Sequence, residues 1–195
     1  MIDIRHVENR MSRHVISRFR QWEKFLDEEV TFGPMGNGIH GKSHCARVLL
    51  LALMISDGMD VDEDWMNALC ISAVMHDSRR LDDMYDTGHG KRAAEYYREL
   101  ASRKNMTFDN RAYLAMMYHD LDDSIGEKAI MKSDGIETNA LLLFRVLKDA
   151  DALDRFRLGP GGLDERFLRT PEAKRLIGFS RDLYEGCKHR CHIRV

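Results

Sequence analysis

Ala68-Leu69-Cys70-Ile71-Ser72-Ala73-Val74-Met75 is an unbroken apolar run, and it is closed by His76-Asp77. The run reads as the end of a buried helix that starts near Asp62 and carries Trp65, Leu69, Val74 and Met75 inward. Adjacent helical residues point about 100° apart, so His76 and Asp77 cannot share a face within the helix. At its terminus both can converge on one point. Buried there, an imidazole and a carboxylate need partners, and a cation supplies one.

Helical periodicity dominates on either side of this run, and strand-like alternation is nearly absent. Residues 3–30 read as a long amphipathic helix with Val7, Met11, Val15, Ile16, Phe19, Trp22 and Phe25 near one face, broken by Gly33-Pro34-Met35-Gly36-Asn37-Gly38. A second helix is expected over 41–56, stopped by Asp57-Gly58. Residues 78–88, polar and carrying both charge signs, read as a loop. Further helices are expected at about 90–104, 108–120, 136–155 and 171–188, with Asp109, Glu137 and Glu172 near their starts, where the helix dipole favours negative charge. Gly159-Pro160-Gly161-Gly162 is a second hard break. The expected architecture is an all-α bundle of about six to eight helices. It forms one domain over 1–195, with the motif-bearing core at about 36–159 and the terminal helices packed on it.

Composition narrows the function classes. Charged residues are 32% and hydrophobic residues 44%, and the formal net charge is -2, so there is no bulk attraction to nucleic acid or to an anionic membrane. The longest apolar stretch, Val48 to Ile55, falls far short of the roughly 20 residues that span a bilayer. Met1-Ile2-Asp3-Ile4-Arg5-His6 has neither the apolar core nor the cleavage site of a signal peptide. Cys45 and Cys70 lie within apolar helical patterns and read as buried free thiols, which fits a reducing, cytoplasmic setting. Cys187-Lys188-His189-Arg190-Cys191-His192 lacks the second ligand pair of a structural zinc site and reads as a basic helix end.

Histidines and aspartates recur along the chain in a definite order. His44 closes His40-Gly41-Lys42-Ser43-His44 and opens His44-x-x-Arg47-Val48. His76-Asp77 follows, then Asp86-Thr87-Gly88-His89-Gly90, then His119 after Tyr118, and finally Asp151 in Ala150-Asp151-Ala152-Leu153. This series resembles the HD-domain superfamily of metal-dependent phosphohydrolases, in the branch with two metals. The resemblance implies one metal held by His44, His76 and Asp151, with Asp77 bridging to a second held by His89 and His119. Asp149 and Asp154 flank Asp151 and compete for its role. Mixed nitrogen and oxygen ligation suits Fe, Mn, Co, Ni or Zn without choosing among them.

Two divalent transition metal ions would activate a bridging hydroxide and neutralise charge on a phosphoryl group. Cations beside the site are then expected to hold the phosphate: Arg80 and Lys91 first, Arg79 and Arg92 behind them, with Arg155 and Arg157 weaker candidates. Asp83 or Asp86 could orient a ligating imidazole or carry a proton. The expected activity is hydrolysis of a nucleotide or other small phosphate ester, with Asp77, Arg80 and Lys91 as the catalytic set. A mixed-valent diiron oxygenase and a metal-binding regulatory module without turnover are the alternatives. Trp22 and Phe25 on the first helix fit packing on the core or a homodimer equally.

Overall fold

Ser12 opens the first helix. Its hydroxyl accepts the backbone N–H of Val15 at 3.2 Å, and α1 runs over Arg13–Glu28. The computed structural model describes residues 2–34, 36–133 and 139–191. Among these follow α2 (Lys42–Ser56), α3 (Glu63–Met75), α4 (His89–Lys104), α5 (Asn110–Tyr118) and α6 (Asp123–Lys132). After them come α7 (Ala140–Leu153), α8 (Pro171–Arg175) and α9 (Ile177–Cys191), with no strand among the described residues. Carboxylates start three of these helices: Asp62 accepts from Trp65, Asp109 from Arg111 and Ala112, and Asp122 from Ser124. Each satisfies amide donors that the first helical turn leaves without a partner.

The core is built around α2. Every residue from His44 to Leu53 is buried, so this helix has no solvated face and must be covered on all sides. α1, α3 and α7 cover it. α3 is buried without interruption from Ala68 to Met75, and α5 lies against α3, α4 and α7. Phe19, Trp65, Tyr97 and Phe144 are the bulkiest side chains in the resulting interior. The Trp65 indole N–H donates to the carbonyl of Asn139 at 2.9 Å, so its polar edge is satisfied.

The all-α expectation holds, with departures in detail. The first helix begins at Arg13 rather than near Asp3, because the Ser12 cap ends the amphipathic stripe early. Residues 2–11 instead run across the bundle with a 3-10 turn at Glu8–Arg10, bury Ile2, Ile4 and Val7, and tie Ile2 N–H to the buried Glu23 carboxylate at 2.7 Å. α6 was not expected, since of its ten residues only Gly126 and Ile130 are buried. The last helix divides at Leu176 into α8 and α9. The expected start near Glu137 lies outside the described residues, as do the side chains from Lys188 onward and all of His192.

Leu50 is fully buried in α2, and its truncation leaves a cavity that tightly packed neighbours cannot close. Leu50→Ala should cost about 2–5 kcal/mol of unfolding free energy, measured by urea titration followed by circular dichroism.

Candidate metal centre

Five helix ends meet on one side of the bundle. His44 stands in the first turn of α2, and His76 caps the C-terminus of α3 with Asp77 directly after it. His89 begins α4 after Gly88, whose φ of 91° only glycine adopts readily. His119 caps the C-terminus of α5, and Asp151 lies in the last turn of α7. Three of these ends are C-termini, whose exposed carbonyl dipoles favour positive charge nearby.

Each histidine is held by its Nδ1 and offers its Nε2. His76 Nδ1 lies 2.9 Å from the Ala73 carbonyl, His89 Nδ1 2.6 Å from that of Asp86, and His119 Nδ1 2.7 Å from that of Met116. A carbonyl only accepts, so these three Nδ1 atoms carry the hydrogen and each neutral ring has its lone pair on Nε2. His44 Nδ1 is bound in the same sense by the Asp154 carboxylate at 2.7 Å. The four Nε2 atoms then face one another: His44 to His76 at 3.2 Å and His89 to His119 at 3.0 Å. Asp77 lies between the pairs. Its Oδ2 is 3.5 Å from His44 Nε2 and 3.9 Å from His76 Nε2, while its Oδ1 is 2.9 Å from His89 Nε2 and 3.5 Å from His119 Nε2. Lone pairs aimed at lone pairs repel unless a cation stands between them. Among the described residues two groups could hold a metal ion, His44-His76-Asp77 and Asp77-His89-His119, all of them buried.

The electrostatics agree. Burial pushes the His76 imidazole down to about 3 against the pull of Asp77, which keeps it neutral and able to ligate. Burial would raise the Asp77 carboxyl, but the imidazoles of His76, His119, His89 and His44 outweigh it and hold Asp77 well below the usual carboxylate range. Burial also opposes charge on His119, yet the Asp77 carboxylate beside it raises it above an ordinary histidine. The pocket demands positive charge beside Asp77.

The three neighbouring carboxylates of α7 and the turn after it take different partners. Asp151 Oδ1 lies 3.2 Å from His44 Nε2, on the open side of the cluster. Asp149 is fully buried and accepts from the backbone N–H groups of Arg169 and Thr170, each at 2.8 Å, and from the Thr170 hydroxyl at 2.7 Å. It anchors the returning chain. Asp154 takes His44 Nδ1 on one oxygen and the Arg47 guanidinium on both, at 2.6 and 3.0 Å. A carboxylate placed behind a ligating imidazole fixes its ring and raises its basicity.

No family model, curated protein or solved structure matches this chain. What the site can do therefore rests on its own geometry. The cluster forms the floor of a cavity of about 600 Å³. Arg80 lines it, with Nη1 3.6 Å from Asp77 Oδ1 and other donors bound to the carbonyls of Asp82 and Met84. Arg79 turns away to Thr31 and stacks on Tyr96, Arg92 pairs with Asp86, and Lys91 is exposed outside the cavity. The remaining lining cations are Lys148, Arg155, Arg157 and Arg169. Lys148 was legible as the residue one turn before Asp151 on the same helix face. Arg169 carried no signal, since it enters from an irregular segment. His40 and Asp83 pair at 3.1 Å and pin the 81–87 loop to the start of α2.

Close approach of α4 and α5 depends on Gly90. A Cβ there would stand 2.5 Å from the Met116 carbonyl oxygen and 2.6 Å from Asp120 Oδ1, so Gly90→Ala should separate His89 from His119. The expected result is lower metal content at unchanged helical circular dichroism. Asp154→Asn should weaken transition-metal affinity by about 10–100-fold, read by competition with a chromogenic chelator.

Proposed function

We propose that this chain is a metal-dependent phosphohydrolase of the HD-domain kind, acting on a nucleotide or other small phosphate ester. The observation that carries this reading is the convergence of four Nε2 lone pairs on the two oxygens of buried Asp77. His44, His76 and Asp151 would hold one ion and His89 and His119 the other, with Asp77 common to both. Such a pair supplies Lewis acidity and lowers the pKa of coordinated water. Imidazole with carboxylate suits Fe, Mn, Co, Ni or Zn.

The chain's own residues contribute orientation and charge. Ala73, Asp86, Met116 and Asp154 fix the four rings before any ion arrives, so little ordering remains for binding to impose. Arg80 stands beside Asp77 and sets positive potential where a phosphoryl oxygen would gather charge. The cavity volume suits a ligand of nucleotide size. Among the described residues no helix is long and apolar enough to cross a membrane, which fits action on a dissolved substrate. Buried Cys45 and Cys70 support a reducing, cytoplasmic setting.

Elemental analysis of the purified chain, followed by a screen for phosphate release, tests the proposal. Two transition metals per chain are expected, with turnover lost to EDTA and restored by Mn or Co. Iron-only turnover with oxygen uptake and no phosphate release would reassign the site to oxidation. Asp77→Asn should remove bound metal and reduce phosphate release to background while the helical spectrum persists. Full turnover in that variant would overturn the two-ion reading.

A further inference from the structure

The cavity above the cluster differs in character from floor to mouth. At the floor Arg157 is only 6% exposed, yet its Nε and Nη1 have no hydrogen-bond partner. Its nearest carboxylates, Asp151 at 4.0 Å from Nη2 and Asp154 at 3.8 Å from Nη1, are beyond hydrogen-bond reach. The other lining cations are engaged: Lys148 with the Leu121 carbonyl and Asp123, Arg155 with the Gly162 carbonyl, and Arg169 with Asp123 and Asp149. A buried guanidinium with unpartnered donors, lining the cavity beside a candidate metal site, is a seat for an oxyanion.

At the mouth the chemistry reverses. Nine large apolar side chains are exposed among the described residues, and five of them line this one cavity: Ile39, Met84, Tyr85, Leu158 and Phe167. Tyr85 is 95% exposed, Met84 83% and Phe167 63%. Met84 and Tyr85 come from the loop between α3 and α4, and Leu158 and Phe167 from the segment after α7. Apolar surface gathered at the rim of a charged pocket marks a binding function rather than scattered exposure.

We propose that the cavity takes an amphipathic phosphomonoester head-first, its phosphoryl group on Arg157 and its aromatic or apolar body against Tyr85, Met84, Leu158 and Phe167. This rests on the hydrolase reading for the fate of the ester, but not for its binding. Polyol phosphates and free phosphate satisfy only the floor and are poor ligands. A phosphomonoester with a planar body satisfies both zones.

The test compares two probes with the same head and no cleavable ester, methylphosphonate and phenylphosphonate, titrated calorimetrically and anaerobically into the Mn-loaded protein. Phenylphosphonate should bind at least about tenfold more tightly, the gain from burying one ring. The double variant Y85A/F167A should erase that ratio and keep methylphosphonate affinity. R157Q should weaken both probes by tenfold or more with metal content and melting temperature retained, and R157K should recover part of the loss.

Equal affinity for the two probes overturns the amphipathic assignment, and unchanged affinity in R157Q overturns the seat. A change of oligomeric mass in Y85A/F167A with the probe ratio intact overturns the proposal by giving the rim to self-association. Tight phenylphosphonate binding without phosphate release from any ester supports the binding proposal while the hydrolase reading falls. Ester hydrolysis with no preference between probes has the reverse meaning.

Discussion

Asp77 is a carboxylate buried beneath four imidazoles, and the rest of the site follows from what such a group requires. An ionised carboxylate removed from water costs several kcal/mol unless positive charge or donors replace the lost hydration. Here Asp77 has the Arg80 guanidinium at 3.6 Å and otherwise ring nitrogens whose hydrogens are engaged elsewhere. Carbonyls of Ala73, Asp86 and Met116 hold three Nδ1 atoms, and Asp154 holds the fourth. The same bonds that orient the rings deny Asp77 their protons as hydrogen-bond donors. A cation resolves both conflicts at once, since it accepts the imidazole lone pairs and compensates the carboxylate.

The bundle is arranged so that this cluster can exist. α2 and α3 are apolar enough to be buried along their length, which brings His44, His76 and Asp77 out of solvent. Gly90 allows α4 to approach the end of α5, where His119 waits for His89. Asp154 is the link to the far side of the core. It joins His44 to Arg47, and Arg47 in turn lies against the Tyr184 ring of α9. The orientation of one candidate ligand therefore depends on helices separated by more than a hundred residues.

Much of this organisation is legible in the chain itself. The apolar runs of α2 and α3, the Asp62 and Asp109 caps and the glycine breaks all declare themselves locally, because helix formation and termination are decided within a few residues. The elements that escaped have local reasons too. α6 buries so little that no stripe marks it, and Ser12 stops a helix whose apolar spacing runs on through Val7 and Met11. The histidines announced themselves by context, as pairs and short motifs at the ends of apolar runs.

Partner choice did not. Asp149, Asp151 and Asp154 fall within six residues, and nothing local distinguishes the anchor of Thr170, the group facing the cluster and the brace behind His44. Lys91 is close to His89 in sequence, but two residues turn a helix by about 200°, which carries it to the solvent side. Arg157 reaches the cavity from the 3-10 turn Asp154–Leu158 after α7, which packs against α2. The sequence alone determined that this protein is helical and that imidazoles and carboxylates stand at its helix ends, since periodicity and caps act over one or two turns. Only the tertiary structure decided which carboxylate faces the histidines and which cation faces the cavity, because those depend on how distant helices rotate against one another.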